Sequence, residues 1–154
     1  MEFETTKAAR LGRFDDALEL LVDACTSFEA LGSDALAQES QARRAESLVL
    51  AGHFQEALEL VWDLLEGAAE NPLLDPFLER LHGYALVQAR RADEARPRFE
   101  RSLELARSLE ADYEVALTLE ALSRTGLGGQ DDDDESREIF GRLGVISTPL
   151  VPLP

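Results

Sequence analysis

Apolar residues recur along this chain at intervals of three and four almost from one end to the other, as in Phe14, Ala17, Leu18, Leu21, Ala24 and Cys25. That is the period of an amphipathic helix with one face turned inward. No stretch shows the strict alternation of a half-buried strand. The helical pattern is broken at Gly12, at Gly32-Ser33, at Gly52, between Gly67 and Pro72, at the Arg90-Arg91 corner and at Gly128-Gly129-Gln130, all places where helices end or the chain turns. This punctuation predicts an all-α fold of eight helices, the first of them short and lying within residues 2–10.

The pattern also repeats. Leu11-Gly12-Arg13-Phe14-Asp15-Asp16-Ala17-Leu18-Glu19-Leu20 returns as Ala51-Gly52-His53-Phe54-Gln55-Glu56-Ala57-Leu58-Glu59-Leu60, 40 residues on, and a weaker copy, Arg90 to Ala95, follows after another 38. The helices before these turns repeat as well. Ala45, Gly83 and Ala116 are each followed three positions later by a leucine, Leu48, Leu86 or Leu119. Two antiparallel helices approach closely only where a small side chain faces the crossing, and the leucine one turn on fills the adjacent groove. Ala17, Ala57 and Ala95 supply the small partner from the second helix of each pair.

Gly52, Phe54 and Ala57, and likewise Gly12, Phe14 and Ala17, resemble the turn and second helix of the tetratricopeptide repeat. The resemblance implies a right-handed superhelix of about four antiparallel helix pairs, with repeats over 1–32, 33–72, 73–109 and 110–144, followed by an extended Pro-rich stretch over 145–154. The third repeat departs from the family pattern, with Arg90 in place of glycine and Ala92 in place of an aromatic residue, and its turn is expected to close less tightly. The fourth is looser and is read as a cap, with Ser136 at the alanine position and Phe140 and Leu143 after it. Spacings of 40 and 38 residues exceed the usual length of about 34, which implies longer helices. A narrower similarity, through Tyr113 to Leu119 and Arg137 to Val145, is to the C-terminal repeat arrays of actinobacterial nucleotide cyclase and ATPase signalling proteins. It implies that the chain is the regulatory part of a longer polypeptide.

In such arrays the first helix of each pair lines a concave wall. The resemblance places Glu39, Arg43, Glu46 and Val49 on that wall in the second repeat, Phe77, Arg80, Tyr84, Val87 and Gln88 in the third, and Tyr113 and Glu120 in the fourth, with Tyr84 and Tyr113 as aromatic anchors. Val49 and Val87 read equally well as core, and Phe77, after Pro76, as a staple at the start of its helix. The implied function is a protein-interaction or scaffold module that holds a peptide or partner domain in the groove. Two rivals are a sensor array for a small ligand and a self-assembly module, a homodimer joined through Trp62 or the Pro-Leu-Pro stretch. Trp62 by itself reads as packing against a neighbouring repeat. The prolines of 145–154 exclude a helix there, and that stretch is expected to run extended along a groove, its own or another chain's.

Charge narrows the partner. The 154 residues hold 31 acidic and 15 basic side chains, a formal net charge of -16. Such a field repels phosphate backbones and anionic lipid surfaces, so neither nucleic acid nor membrane is expected, and a basic or neutral protein or peptide is favoured. The opening residues lack the basic start and apolar run of a signal peptide, and no stretch approaches a membrane span. With Cys25 as the lone cysteine, which is expected to be buried and inert, a cytoplasmic location is expected.

No catalytic constellation assembles. Leu127-Gly128-Gly129-Gln130 lacks the spaced glycines and lysine of a phosphate loop. His53 and His82 lie on different elements, neither with a second ligand one helical turn away. Asp131 to Glu135 lacks the alternation and central glycine of a calcium loop and reads as a run of carboxylates at a helix start, where the helix dipole favours them. Neither a cofactor, nor a metal, nor an enzymatic activity is expected.

Overall fold

The computed structural model describes residues 13–67 and 71–154. The short first helix expected within 2–10, and Gly12 of the first turn, lie outside the described residues. Seven α-helices follow in order: α1 (Phe14–Ala30), α2 (Asp34–Ala51), α3 (Phe54–Glu66), α4 (Asp75–Gln88), α5 (Ala92–Ser108), α6 (Asp112–Arg124) and α7 (Gln130–Leu143), with a single 3-10 turn, Pro72–Leu74, leading into α4. Among the described residues there is no strand, and no helix is long and apolar enough to cross a membrane. Each helix packs against its neighbour in sequence, and α4 also touches α2 and α6.

The small residues sit at the crossings. Ala17, Ala45, Ala57, Ala95 and Ala116 are wholly buried, and the leucines one turn after the inner ones, Leu48, Leu86 and Leu119, are buried beside them. Gly83 marks the tightest approach of α4 and α5, with the ring of Phe99 lying where a side chain would project. At Ser136 a serine takes the alanine's place because its hydroxyl has an acceptor: Oγ donates to the Ala116 carbonyl at 2.9 Å, so the small polar side chain is buried at the α6–α7 crossing without leaving its hydroxyl unpaired.

Every helix but α3, which ends at an extended Gly67, shares one closure. Gly32, Gly52, Gly126 and Gly144 adopt the left-handed conformation, and so do Arg90 and Glu110. After Gly52, His53 N donates to Leu48 O at 2.9 Å, and after Arg90, Arg91 N donates to Leu86 O at the same 2.9 Å. The third turn is therefore closed as tightly as the glycine turn. A looser turn was expected there, but the helix pair imposes the geometry and Arg90 adopts a backbone conformation that glycine takes at less cost.

The acidic run behaves as a helix start. Asp131, Asp132 and Asp133 lie in the first turn of α7, and Asp132 Oδ2 accepts from Gly129 N at 2.7 Å, satisfying one of the donors a helix start leaves free.

The centre of the molecule is α4, in which every residue from Pro76 to Val87 is buried. It is enclosed by α3 and α5 on either flank and by α2 and α6 along a third side. Several of its polar groups find partners on neighbouring helices. Glu79 meets Arg98 at 3.4 Å, and burial holds its carboxyl above the usual range. Pro76 O accepts from Ser102 Oγ at 2.7 Å, and that hydroxyl is 2.8 Å from Thr118 Oγ1, a polar link joining α4, α5 and α6.

Candidate functional site

Three helices that each begin a pair, α2, α4 and α6, share one face, and a cavity of about 260 Å³ opens on it. Arg43, Glu46, Val49, Phe77, Arg80, Tyr84, Tyr113 and Glu120 all line this cavity. Of the other wall residues named from the sequence, Val87 lies within the core, Gln88 stands at the end of α4, and Glu39, one turn before Arg43, is half-buried and outside the lining. Val49, Phe77, Arg80 and Tyr84 are buried too. They form the floor, while Arg43 and Tyr113 remain more than a third exposed at the rim.

The floor is held by charge and ring contacts. Arg80 Nη2 donates to Glu114 Oε2 at 2.8 Å. Burial opposes the guanidinium charge, but Glu114 more than offsets this and holds its pKa above the ordinary value. Its Nε, also buried, has no hydrogen-bond partner. The Phe77 ring is flanked by two guanidinium groups, Arg43 at 5.0 Å and Arg80 at 5.4 Å, contacts that cation–π attraction favours. Arg43 also reaches Glu46 at 3.4 Å. Tyr84 packs edge-on against Phe99 at 5.4 Å, and burial keeps its phenol neutral by raising its pKa.

The segment after α7 runs along this face. Thr148 Oγ1 donates to both carboxylate oxygens of Glu120 at 2.9 Å, Arg124 Nη2 donates to Val151 O at 3.0 Å, and Gln88 Nε2 donates to Pro152 O at 3.0 Å as well as to Val49 O at 2.8 Å. The Val151 side chain is buried in the main core with Val49, Leu50 and Tyr84. Pro149 and Val151 form the side of the cavity opposite the helices. The sequence signal was partial. Prolines indicated an extended stretch that would lie in a groove, but its register and the parts played by Glu114 and Arg124 had no local signature. Glu114 follows only once Arg80 is known to be buried, since a charge that deep requires an opposite charge from a neighbouring pair.

A larger cleft, of about 750 Å³, lies over another side of α4, between α3 and α5. Trp62 stands in it half-exposed, at 49 %, with one edge against α4 of the neighbouring repeat, as expected, and the rest of the ring open to the cleft. Its ring meets His82 edge-on at 6.3 Å. His82 Nδ1 is buried without a partner, and burial, assisted by Arg98 and Arg91, lowers its pKa to about 4. His53 lies apart, before α3, beside Glu56. Among the described residues no group of three or more His, Cys, Asp or Glu side chains is placed to hold a metal ion. Cys25 is buried, accepts from Gln41 Nε2 at 3.1 Å, and has its thiol pKa raised by burial.

No family model matches this sequence, and no matching relative was found among curated proteins or solved structures.

Proposed function

We propose that this chain is a tetratricopeptide-like interaction module that holds an extended peptide, or an extended segment of a partner protein, on the concave face of α2, α4 and α6. One observation carries the reading: an extended stretch of polypeptide already lies there, its carbonyls at Val151 and Pro152 served by Arg124 and Gln88. Side chains arranged to satisfy the main chain of a non-helical segment are what a peptide-binding wall requires. The exposed rim, Arg43 and Tyr113, supplies the aromatic and guanidinium groups that anchor such contacts. Glu46, Glu114 and Glu120 along the cavity, with the net charge of -16, favour a neutral or basic ligand.

The test is selection of peptides from a displayed library on the full chain, followed by affinity measurements with Arg43→Ala and Tyr113→Ala. Selected peptides should lose at least tenfold in affinity with each variant while helicity is unchanged. Peptides that bind all three proteins alike would move the site away from this face.

A second reading rests on Trp62. A half-exposed tryptophan in a cleft of about 750 Å³ suits contact between copies of the chain. Sedimentation of wild type and Trp62→Ala over a range of concentrations decides it, since a species that stays monomeric throughout excludes self-assembly.

A further inference from the structure

From the docking of residues 148–153 we infer that this segment is a built-in competitor for the peptide-binding face, and that the ligand it keeps out is an extended, uncharged, proline-containing peptide that presents the same groups. This rests on the peptide-binding reading above and goes further, because it assigns both the ligand chemistry and the state in which the face is closed.

The chemistry is read from the contacts. From Pro149 to Pro154 alternate residues face inward: Pro149 and Leu153 are half-buried and Val151 is buried, while Leu150, Pro152 and Pro154 are exposed. This is the two-residue period of an extended chain. Three of these six residues are prolines and have no N–H to donate. The face is matched to that lack, for Arg124 and Gln88 both donate to carbonyls and Glu120 accepts a hydroxyl. A proline-rich ligand therefore sacrifices no hydrogen bond here, and its restricted backbone loses little entropy on binding. A hydroxyl residue followed by proline, and a branched apolar residue two positions beyond that proline, is the pattern the face accepts.

The closed state is reversible by construction. Gly144 is left-handed, Ile146 is almost fully exposed, and Ser147 is exposed, so an unpacked hinge separates the docked residues from α7. The docked part buries one side chain fully and a few in part, a modest contact that the tether strengthens by holding it at an effective concentration of about millimolar. The segment also leaves the cavity beside Arg43, Phe77 and Arg80 open, where the buried Arg80 Nε lacks an acceptor. A partner that carries the same pattern and continues into this space with an acceptor gains a contact that the resident segment does not make.

The experiment uses the full chain and a synthetic peptide of residues 147–154, Ser-Thr-Pro-Leu-Val-Pro-Leu-Pro, titrated by NMR with the Gln88 side-chain amide as reporter. Thr148→Asp sets a carboxylate against Glu120 without disturbing the core, and Val151→Asp removes the buried anchor. Both should bind the peptide at least tenfold more tightly than wild type, the factor by which a face closed about nine-tenths of the time is masked. Leu150→Asp, at an outward position, should behave as wild type. Equal affinity in wild type and both opened variants, or no binding to any of them, overturns the inference. If library-selected peptides remain sensitive to Arg43→Ala and Tyr113→Ala in that case, the peptide-binding reading stands without it; if they are insensitive, that reading falls as well.

Discussion

The ring of Phe99 on α5 presses against the backbone of Gly83 on α4, so closely that a β-carbon on Gly83 would stand 2.6 Å from Phe99 Cε1. Phe99 is itself fully buried and braced edge-on by Tyr84, so it has little room to retreat. Gly83→Ala is expected to destabilise the fold by about 1 to 3 kcal/mol through overpacking, even though alanine is the better helix former. Thermal or denaturant unfolding checks this, and an unchanged midpoint would mean that α4 and α5 are farther apart than described.

Arg90 offers the opposite change. It holds a left-handed backbone, φ 60°, at a turn whose equivalent in the preceding pair is Gly52, φ 78°. Arg90→Gly is expected to stabilise by about 1 kcal/mol, the cost a side chain incurs in this conformation. Gly52→Arg is expected to destabilise by a similar amount. A stabilisation curve in urea for both variants gives the comparison directly, and a loss of stability in Arg90→Gly would contradict the shared closure.

These two positions also mark what could be read in advance. The alanines at the crossings were legible because a small residue followed by leucine at helical spacing is a local pattern with one geometric use, and the structure buries all of them. The backbone at Arg90 was not legible from residue type, since the closure is imposed by the pair of helices it joins. The wall was legible as a set of positions but not as exposure. Phe77, Arg80 and Tyr84 lie on a buried helix, and one of its covers, the segment around Val151, comes from far along the chain. Trp62 is the reverse case: whether a neighbouring helix covers it depends on the separation of α3 and α5, which no single helix encodes.

His82 makes stability depend on pH. Its pKa is lowered to about 4 from 6.5, so the folded protein binds the proton less readily than the unfolded chain does. The contribution of the neutral imidazole is fully present above about pH 6.5 and declines as pH falls toward about 4, by about 1.4 kcal/mol per pH unit. Asp75 and Glu79, both raised by burial, act in the opposite direction. The comparison is therefore between wild type and His82→Leu, whose unfolding free energy should lack the decline between pH 6.5 and 5. Trp62, the only tryptophan, stands 6.3 Å from the imidazole and reports its charge by fluorescence. A change in emission centred near pH 6.5 instead of near 4 would show that the imidazole is solvated.

The two tyrosines of the proposed peptide-binding face should separate stability from binding. Tyr84 is 3 % exposed and Tyr113 is 39 % exposed, although both line the same cavity. Tyr84→Ala removes a buried ring together with its contact on Phe99 and is expected to cost about 3 to 5 kcal/mol. Any loss of ligand binding in that variant would then reflect a damaged fold as much as a damaged site. Tyr113 meets Phe140 edge-on, at 6.3 Å between ring centres, and stays well exposed, so Tyr113→Ala should cost no more than about 1 kcal/mol of stability. Its effect belongs to the ligand: a selected peptide should bind at least tenfold more weakly, mainly through faster dissociation, because an anchoring ring holds a complex together after it has formed. Surface plasmon resonance with matched circular dichroism melts measures both quantities on the same protein. An unaltered off-rate in a fully folded Tyr113→Ala protein would remove Tyr113 from the binding surface and leave Arg43 as the only exposed anchor on this rim.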